Sequence, residues 1–210
     1  MASADLYLDT INFLKYLDRQ DCAQCGFDSC EEFIGALRKG QKISSDCSSI
    51  SANEAYALVA VQNIKELWPE VPLLIHPRPS HIGLFELNNP NAESLVLISG
   101  NNEYTEQVLL TVLGTTMGPF FVLFIDTDGH TVDMSMIYKT FTAERVSHAF
   151  REFHLEEKVS RKEVIIPGLA ASLKNDIETF TGWHVRVGPV CAAELPLFLS
   201  EIWVPPEEKV

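Results

Sequence analysis

The sequence predicts an α/β protein in which a small helical region precedes a Rossmann-like α/β domain. Short apolar runs alternate with stretches of helical period from residue 94 onward, whereas the first 68 residues show helical periods only. Between the two regions, residues 69–93 hold five prolines, which exclude a regular helix. We therefore expect a first domain over 1–68, an ordered linker or cover segment over 69–93, and a second domain over 94–210.

Three short helices are expected in the first region. Each has apolar residues at helical spacing and a capping or breaking residue at one end. The caps are Thr10 for the first helix and Asn53 for the third, while Gly40 ends the second and Pro69 ends the third. The apolar positions are Ile11, Leu14, Leu17, Phe33, Ile34, Leu37, Tyr56, Val59, Ile64, Leu67 and Trp68.

Strands and helices alternate in the second region, which indicates a sheet that is at least partly parallel. The strand candidates are Leu95–Ser99, Phe120–Ile125, Thr131–Ile137, Val164–Ile166 and His184–Val187. The helix candidates are Glu103–Leu113, Thr142–Phe153, Leu169–Phe180 and Ala192–Ser200. We expect Asp126–Gly129 to form a turn between two adjacent strands. Met134 and Met136 would then lie on one face of the following strand, as core residues.

Composition excludes two classes of partner. The chain of 210 residues carries a formal net charge of -13, and its 16 basic residues form no run beyond a dipeptide, which argues against nucleic acid. Its apolar runs are all shorter than the ~20 residues that a membrane helix needs, so no membrane span is expected. The N-terminus lacks the pattern of a signal peptide, which favours a cytoplasmic protein.

Four cysteines near the N-terminus, Cys22, Cys25, Cys30 and Cys47, are spaced C-x2-C-x4-C-x16-C. Four thiolates are the ligand set of a cubane iron–sulfur cluster. Gly26 lets the chain curl closely around a compact inorganic core, and Cys30 begins a predicted helix, whose amide groups favour an anionic cluster. Six acidic residues face four basic ones over residues 18–47. That balance predicts a [4Fe-4S] centre of low reduction potential.

Three other interpretations of the cysteines are disfavoured. A structural zinc site usually pairs two short knuckles, whereas only Cys22 and Cys25 have that spacing here. A disulfide framework belongs to secreted chains, and no signal segment is evident. Four unrelated buried thiols would be a coincidence, because Cys191 is the single other cysteine in the sequence.

Glycine-containing loops follow three of the predicted strands: Ser99–Asn101, Pro167–Gly168 and Gly188–Pro189. In open α/β sheets, ligands bind outside the carboxyl ends of the strands, where glycine allows close backbone approach. The three loops are therefore expected to line one pocket, the alternative being that each is an ordinary tight connection.

Several isolated residues have both a functional and an ordinary interpretation. In the Pro-rich segment, His76, Arg78 and His81 could bind a metal or an anion, but exposed loop residues of this kind are commoner. Cys191 could be a reactive thiol at the pocket, although a small buried hydrophobe is favoured. His130, after the Asp-Gly turn, could face a ligand, and His184 lies in a predicted strand; both are more often packed or solvated than ligating.

These motifs resemble the large (gamma) subunit of the corrinoid iron–sulfur protein of acetyl-CoA decarbonylase/synthase. The segment 21–47 is similar to that family's cluster domain at every cysteine ligand. In the second half, 124–129 is similar to its V-D-T-E-G motif, 164–170 to I-I-P-G-x-x-A, and 182–189 to W-x-x-x-V-G-P. The resemblance covers residues 10–50 and 94–200.

The resemblance implies two cofactors: a [4Fe-4S] cluster on Cys22, Cys25, Cys30 and Cys47, and a cobalamin held base-off by the second domain. In that family the cobalt, as a nucleophilic Co(I) centre, takes up a methyl group and then carries it, and the cluster supplies low-potential electrons to reactivate oxidised cobalt. The implied corrinoid-binding residues are Asn101, Thr105, Gly129, Met136, Tyr138, Pro167, Gly168, Leu169, Ala170, Gly188, Pro189 and Ala192. The absence of D-x-H-x-x-G, by which many cobalamin domains donate a histidine to cobalt, agrees with a base-off site.

Two departures from the family pattern leave a second hypothesis open. The family's central barrel domain has no counterpart here, so a methyltransferase or barrel-type corrinoid protein would have to be a partner, beside a low-potential electron donor. The family's A-W-A-A-G-K-F aligns with residues 135–141, where Ile137, Tyr138 and Lys139 replace Ala-Ala-Gly. The chain is thus either a methyl carrier acting with partner methyltransferases, or a [4Fe-4S] electron-transfer or interaction protein whose corrinoid site is degenerate.

Overall fold

The computed structural model describes residues 7–17, 25–70 and 77–206. Within them, the N-terminal region contains a 3₁₀ turn, Leu8–Thr10, and three helices: α1 (Leu14–Leu17), α2 (Cys30–Arg38) and α3 (Ala52–Leu67). A second 3₁₀ turn, Ser44–Asp46, separates α2 from α3. Among the described residues, no helix is both long and apolar enough to cross a membrane.

Two of the predicted N-terminal helix caps, Thr10 and Asn53, are not the caps in the structure. The side chain of Asn12 accepts a hydrogen bond of 3.1 Å from the Leu14 amide, whereas Thr10 donates to the carbonyl of Tyr7. Ser51, not Asn53, caps α3: Ser51 and Glu54 form a reciprocal capping box, with contacts of 2.6 and 3.2 Å. The S-x-x-E motif at residues 51–54 is the sequence pattern from which this capping box could have been predicted.

Residues 77–206, which the structure describes, contain a five-stranded sheet in the order β1-β3-β2-β4-β5. Its strands are β1 (Gly83–Leu87), β2 (Leu95–Gly100), β3 (Phe120–Ile125), β4 (Glu163–Ile166) and β5 (His184–Val187). The β2–β3, β2–β4 and β4–β5 pairs are parallel, which confirms the α/β prediction, while β1 runs antiparallel to β3. Strand β1 lies inside residues 69–93, so the segment expected to be a linker contributes an edge strand.

Over the same described range, 77–206, six helices accompany the sheet: α4 (Glu103–Leu113), α5 (Val132–Ile137), α6 (Ala143–Glu152), α7 (Leu155–Lys158), α8 (Lys174–Thr181) and α9 (Leu195–Phe198). Three further 3₁₀ segments are Gly168–Leu173, Ala192–Glu194 and Ser200–Ile202. The predicted helices Leu169–Phe180 and Ala192–Ser200 are therefore each divided into 3₁₀ and α-helical parts.

The prediction of a strand over Thr131–Ile137 is wrong, because α5 occupies that segment. Asp126–Gly129 accordingly joins a strand to a helix, and Met134 and Met136 do not alternate on a strand face. Val132 and Ser135 are buried and Met136 is half-buried, which is the i, i+3, i+4 pattern of a helix. In a segment of six residues, the apolar positions fit the two-residue period of a strand as well as the 3.6-residue period of a helix.

Two apolar clusters pack on opposite faces of the sheet. One contains Val96, Leu123 and Val164 with residues of α6 and α8. The other contains Leu97 and Val122 with residues of α4, of α2 and α3, and of the C-terminal segment up to Trp203. The N-terminal helices and the sheet therefore share one continuous core among the described residues.

Candidate functional site

The cysteine segment is described from Cys25 onward, and Cys22 lies outside the described residues. Cys25 and Cys47 are buried in the core shared with the sheet, whereas Cys30 is half-buried. Cys30 is the first residue of α2, as predicted, and Cys47 directly follows the Ser44–Asp46 turn. The structure thus places two ligand candidates beside apolar side chains and the third at a helix N-terminus.

Local chemistry explains the path of this segment. Gly26 has a positive φ of 81°, a conformation that favours glycine, so the chain turns sharply directly after Cys25. Ser29 caps α2 by accepting a hydrogen bond of 3.2 Å from the Glu32 amide. The rings of Phe27 and Phe33 lie 6.2 Å apart and cover the start of the helix.

The donor set fits an iron–sulfur cluster, because thiolates are its protein ligands. Among the described residues, no three His, Cys, Asp or Glu side chains lie close enough together to hold a single metal ion. The low reduction potential of the cluster stays a prediction. The carboxylates of Glu31 and Glu32, exposed in the first turn of α2, add negative charge near Cys30 and would lower that potential. Lys42 forms an ion pair of 3.8 Å with Asp46 and offsets part of that charge.

A second candidate site is the carboxyl edge of the sheet. The chain passes from β2 to β3 on one side and later returns to β4 on the other side of β2, so the order reverses between β2 and β4. Such a switch point is where open α/β sheets bind ligands. The loops after β2, β3, β4 and β5 carry most of the residues expected to bind a corrinoid.

Asn101 belongs to an internal network at this edge. Its side-chain oxygen accepts hydrogen bonds of 2.7 Å from the Thr127 amide and 3.1 Å from the Thr127 hydroxyl, and it lies 3.4 Å from the Gly129 amide. Both Asn101 and Thr127 are buried. The side chain of Asn101 therefore joins the loop after β2 to the loop after β3, and its oxygen is directed at protein rather than at the crevice.

Residues 78–81 cross the carboxyl ends of β2 and β3, and we call them the edge strap. The Arg78 amide donates to the carbonyl of Gly129 at 3.0 Å, and the Ser80 amide donates to that of Asn101 at 2.8 Å. Arg78 also pairs with Glu103 at 2.7 Å, and His81 pairs with Glu106 at 3.0 Å. Burial opposes the ionisation of Glu106, but polar interactions with Ser80 and His81 outweigh that effect, so the pKa of Glu106 is lowered.

The strap accounts for two of the residues weighed as ligands in the Pro-rich segment. Arg78 holds the strap by an ion pair with Glu103 and His81 by a hydrogen bond with Glu106, and His76 lies outside the described residues. Asn102, which is not among the predicted site residues, caps α4, and its side-chain amide donates to the Gly129 carbonyl at 2.8 Å. A detectable signal was the Asn-Asn pair after a predicted strand, since Asn is a preferred cap residue.

The glycines of the edge loops are explained by close packing within the chain. A β-carbon on Gly168 would lie 2.7 Å from the Val190 nitrogen and 2.8 Å from the Gly188 oxygen. On Gly129, whose φ is 73°, it would lie 2.5 Å from the nitrogen of Pro79. These glycines therefore bring the loops against each other and against the edge strap.

The end of α5 is the most exposed apolar part of this edge. Ile137 is 70% exposed and Tyr138 is 58% exposed, and Val190 in the loop after β5 is 47% exposed. Lys139 follows at a φ of 55°, and the Thr140 amide donates to the Ser135 carbonyl at 2.8 Å. This is a Schellman ending with lysine where the resembled family has glycine.

The remaining predicted residues are spread along the same loops. Pro167 and Leu169 are half-buried, Ala170 is fully buried, and Pro189 is buried while its carbonyl accepts from the Gly168 amide at 2.9 Å. Three others are half-buried: Thr105 in the first turn of α4, Met136 in α5, and Ala192 at the start of a 3₁₀ turn.

Cys191 lies beside this region as a buried side chain. Burial is the main cause that raises its pKa to about 11, and the nearby Glu194 carboxylate adds to the effect. A thiol of this kind is protonated at neutral pH and does not act as a nucleophile.

The edge offers apolar side chains of the kind that a flat macrocycle covers. Helix α5 packs on the 3₁₀ segment Gly168–Leu173, and Gly168 packs on Val190, so the loops carrying Ile137, Tyr138 and Val190 are contiguous. The hydroxyl of Thr140 is buried and has no hydrogen-bond partner in the part of the chain that the structure describes. The residues fit a corrin ring resting on side chains, rather than one lying against glycine backbone.

Fold and site together define a protein with an N-terminal iron–sulfur region and a Rossmann-like α/β domain. The chain belongs to the CO dehydrogenase/acetyl-CoA synthase delta subunit family, whose model matches residues 69–199. A second model, described as "Putative Fe-S cluster", matches residues 17–49.

Curated relatives confirm the resemblance seen in the motifs. The chain is 32% identical over 178 residues to the acetyl-CoA decarbonylase/synthase complex subunit gamma of Methanopyrus kandleri, covering 80% of this chain and 37% of that protein. It is 33% identical to the subunit gamma of Archaeoglobus fulgidus, covering 66% of this chain and 28% of the relative. It is also 32% identical to the corrinoid/iron-sulfur protein large subunit of Moorella thermoacetica, covering 62% of this chain and 28% of that protein. The chain thus spans roughly a third of the length of these relatives.

Proposed function

We propose that this chain is an iron–sulfur corrinoid protein that acts in methyl transfer with the subunits of an acetyl-CoA decarbonylase/synthase type of complex. Its [4Fe-4S] cluster, on Cys22, Cys25, Cys30 and Cys47, supplies low-potential electrons to a base-off cobalamin at the carboxyl edge. The names of the relatives and the two family matches support the cofactor pair.

One structural observation carries the proposal. Cys25 and Cys47 lie in the same continuous core as Cys191, which follows the β5 loop at the carboxyl edge. Tyr16, close before the cysteine segment, donates a hydrogen bond of 2.8 Å to Glu194 in the 3₁₀ turn after that loop. A cluster held by this segment and a corrinoid held at this edge would be parts of one packed unit, as electron transfer between them requires.

Each part of the chain has its own task in this function. Cobalamin, when bound, supplies a cobalt that carries the methyl group. The apolar side chains of Ile137, Tyr138 and Val190 would bear the ring and exclude water from it, while the Asn101–Thr127 network fixes the loops beneath. The methyl donor and acceptor would be bound by partner chains, among them a methyltransferase or a barrel-type corrinoid protein. A separate low-potential donor would reduce the cluster.

A second function is favoured by a different observation. Bulky Ile137, Tyr138 and Lys139 occupy the positions that are Ala-Ala-Gly in the resembled family, and the space beside Gly129 and Gly168 is filled by the chain itself. On this alternative, the corrinoid site is degenerate and the protein is a [4Fe-4S] electron-transfer or interaction module.

An absorption spectrum distinguishes the two functions. The full chain, purified without oxygen and reconstituted with iron and sulfide, is incubated with hydroxocobalamin and desalted. Corrin bands at one equivalent per chain are expected under the proposed function. A broad iron–sulfur absorption without retained corrin would exclude it and support the alternative.

Matched variants sharpen this experiment. Cys30→Ser is expected to lose the cluster, whereas Cys191→Ser, which alters a buried cysteine outside the motif, should keep four irons per chain. Under the alternative, the double change Tyr138→Ala with Lys139→Gly should raise corrin binding. Unchanged iron content in Cys30→Ser would contradict the cluster assignment.

A further inference from the structure

Strand β5 is the last strand in the order of the sheet. It pairs with β4 on one side, and no strand of the described residues pairs with it on the other side. The free side of an edge strand presents backbone amide and carbonyl groups with which a strand of another molecule can pair. The contacts made by the outward amides of β5 therefore decide whether this edge is open to another chain.

The direction of each amide along β5 follows from its hydrogen bonds. The amides of His184 and Gly188 donate to backbone carbonyls of the β4 segment, both at 2.9 Å. Successive residues of a strand direct their amides to opposite sides. The intervening residues Val185 and Val187 therefore direct their amides away from β4, toward the free side.

The two outward amides differ in their contacts. The Val185 amide donates a hydrogen bond of 2.9 Å to Oε1 of Glu178, which belongs to α8. The Val187 amide forms no hydrogen bond with any residue that the structure describes. Only residues 182 and 183 separate α8 from β5, and the helix packs on the strand, so the position of Glu178 is fixed locally.

Glu178 also brings a negative charge to the free side of β5. Its pKa is lowered, mainly because the Val185 amide donates to the charged form, so the carboxylate is ionised at neutral pH. The same oxygen lies 3.3 Å from Nδ1 of His184 and 3.9 Å from Nζ of Lys174. A strand that arrived at this edge would have to break the hydrogen bond to Val185 and take the charge out of water.

We propose that Glu178 closes the free edge of β5 against strand addition by a second copy of this chain. A second copy is the relevant partner because every molecule presents the same edge, and two such edges can pair symmetrically about a two-fold axis. The strand leads into the Gly188–Pro189 loop of the carboxyl edge, so a copy added here would crowd the candidate corrinoid site. The inference does not depend on whether a corrinoid binds.

Removal of the carboxylate tests the proposal. In sedimentation velocity of the full chain, reconstituted with iron and sulfide, Glu178→Ala should raise the self-association constant about tenfold or more, because a charge-assisted hydrogen bond no longer has to be broken. Glu178→Gln keeps an oxygen that accepts from the Val185 amide and should associate less than Glu178→Ala. Asp176→Ala removes an exposed carboxylate from the same helix and should match the parent. No rise in Glu178→Ala, or an equal rise in Asp176→Ala, would overturn the proposal.

A second substitution locates the contact between the two copies. Val187→Pro removes the other outward amide, and a proline on the free side of an edge strand prevents pairing there. Combined with Glu178→Ala, it should return the association constant to that of the parent. Association that persists in the double variant would show a contact elsewhere on the molecule and would contradict the role given to β5.

Hydrogen exchange in the parent chain gives a test that needs no variant and is unaffected by a folding defect. Measured by NMR, the Val185 amide should exchange at least about tenfold more slowly than the Val187 amide, because only the first is hydrogen-bonded. Equal exchange rates would mean that Glu178 does not hold the strand in solution, and the proposal would fail.

Discussion

The side-chain oxygen of Asn101 accepts two hydrogen bonds from Thr127, at 2.7 and 3.1 Å, although 26 residues separate them. Both residues are buried, and their contact ties together the loops that follow the neighbouring parallel strands β2 and β3. The candidate corrinoid site thus stands on an internal polar network, so changes to that network should act on stability as well as on ligand binding.

Replacing Asn101 by alanine should destabilise the protein by about 2–3 kcal/mol, because the buried Thr127 amide loses its acceptor. The measurement is the free energy of unfolding in urea. Asn175→Ala, an exposed change in the first turn of α8, should stay within about 0.5 kcal/mol of the parent. Equal stability of the two variants would show that the Asn101 network contributes nothing.

Glycine at position 168 is required by packing, and a matched pair of alanine substitutions tests this. Gly168→Ala places a methyl group 2.7 Å from the backbone nitrogen of Val190 and should cost about 2–3 kcal/mol. Gly35→Ala, within α2 and with open space around the new methyl group, should stabilise by about 0.5–1 kcal/mol. Urea unfolding of both variants gives the comparison, and the expected sign differs between them.

Lysine at position 139 has a φ of 55° at the end of α5 and is strained there. Lys139→Gly relieves that strain and should stabilise the protein by about 0.5–1 kcal/mol, after allowance for the greater freedom of glycine in the unfolded chain. Lys139→Ala keeps a β-carbon and should show no such gain. A stabilisation of similar size in both variants would mean that charge, not backbone strain, is responsible.

The Cys191 thiol should make stability depend on pH in the alkaline range. Its folded pKa of about 11 lies above the value of an exposed thiol, so the unfolded chain loses this proton first. Its contribution is complete below the unfolded pKa and declines as the pH rises toward about 11. The free energy of unfolding should therefore fall more steeply between about pH 9 and 11 in the parent than in Cys191→Ala. Parallel curves would place the thiol in contact with water.

The elements best predicted from sequence are those whose apolar runs are long or sharply bounded. Strand β3 has the expected bounds, Phe120–Ile125, because all six residues are apolar and buried, and so does α4. The edge strand Gly83–Leu87 was missed because its burial does not alternate, polar Glu86 interrupts its short apolar run, and prolines lie on both sides of it. The segment Val132–Ile137 was predicted as a strand because six residues do not separate the two periods.

The candidate site, like the fold, could be predicted from the sequence only in part. Cys30 at the start of α2 could be read from local signals, because Ser29, Glu31 and Glu32 form an ordinary helix N-terminus. The role of Asn101 could not be predicted from local sequence, because the pairing of β2 with β3 is what brings its partner Thr127 close to it. The edge strap was likewise hidden, because backbone hydrogen bonds from Arg78 and Ser80 leave no side-chain pattern.

The hydrogen bond between Tyr16 and Glu194 tests whether the two halves of the chain unfold together. Burial, followed by the hydrogen bond to Glu194, raises the pKa of the Tyr16 hydroxyl, so it stays protonated and donates at 2.8 Å. In a double-mutant cycle, Tyr16→Phe and Glu194→Gln should show a coupling energy of about 1 kcal/mol in urea unfolding. A cycle of Tyr16→Phe with Glu201→Gln, an exposed carboxylate farther along the C-terminal segment, should show none. If the N-terminal region unfolds separately from the sheet, two transitions should be seen and the Glu194 substitution should not alter the effect of Tyr16→Phe. A single transition with the expected coupling would mean that the cluster segment and the carboxyl edge are held in one cooperative unit, since the contact would then be lost only when both unfold.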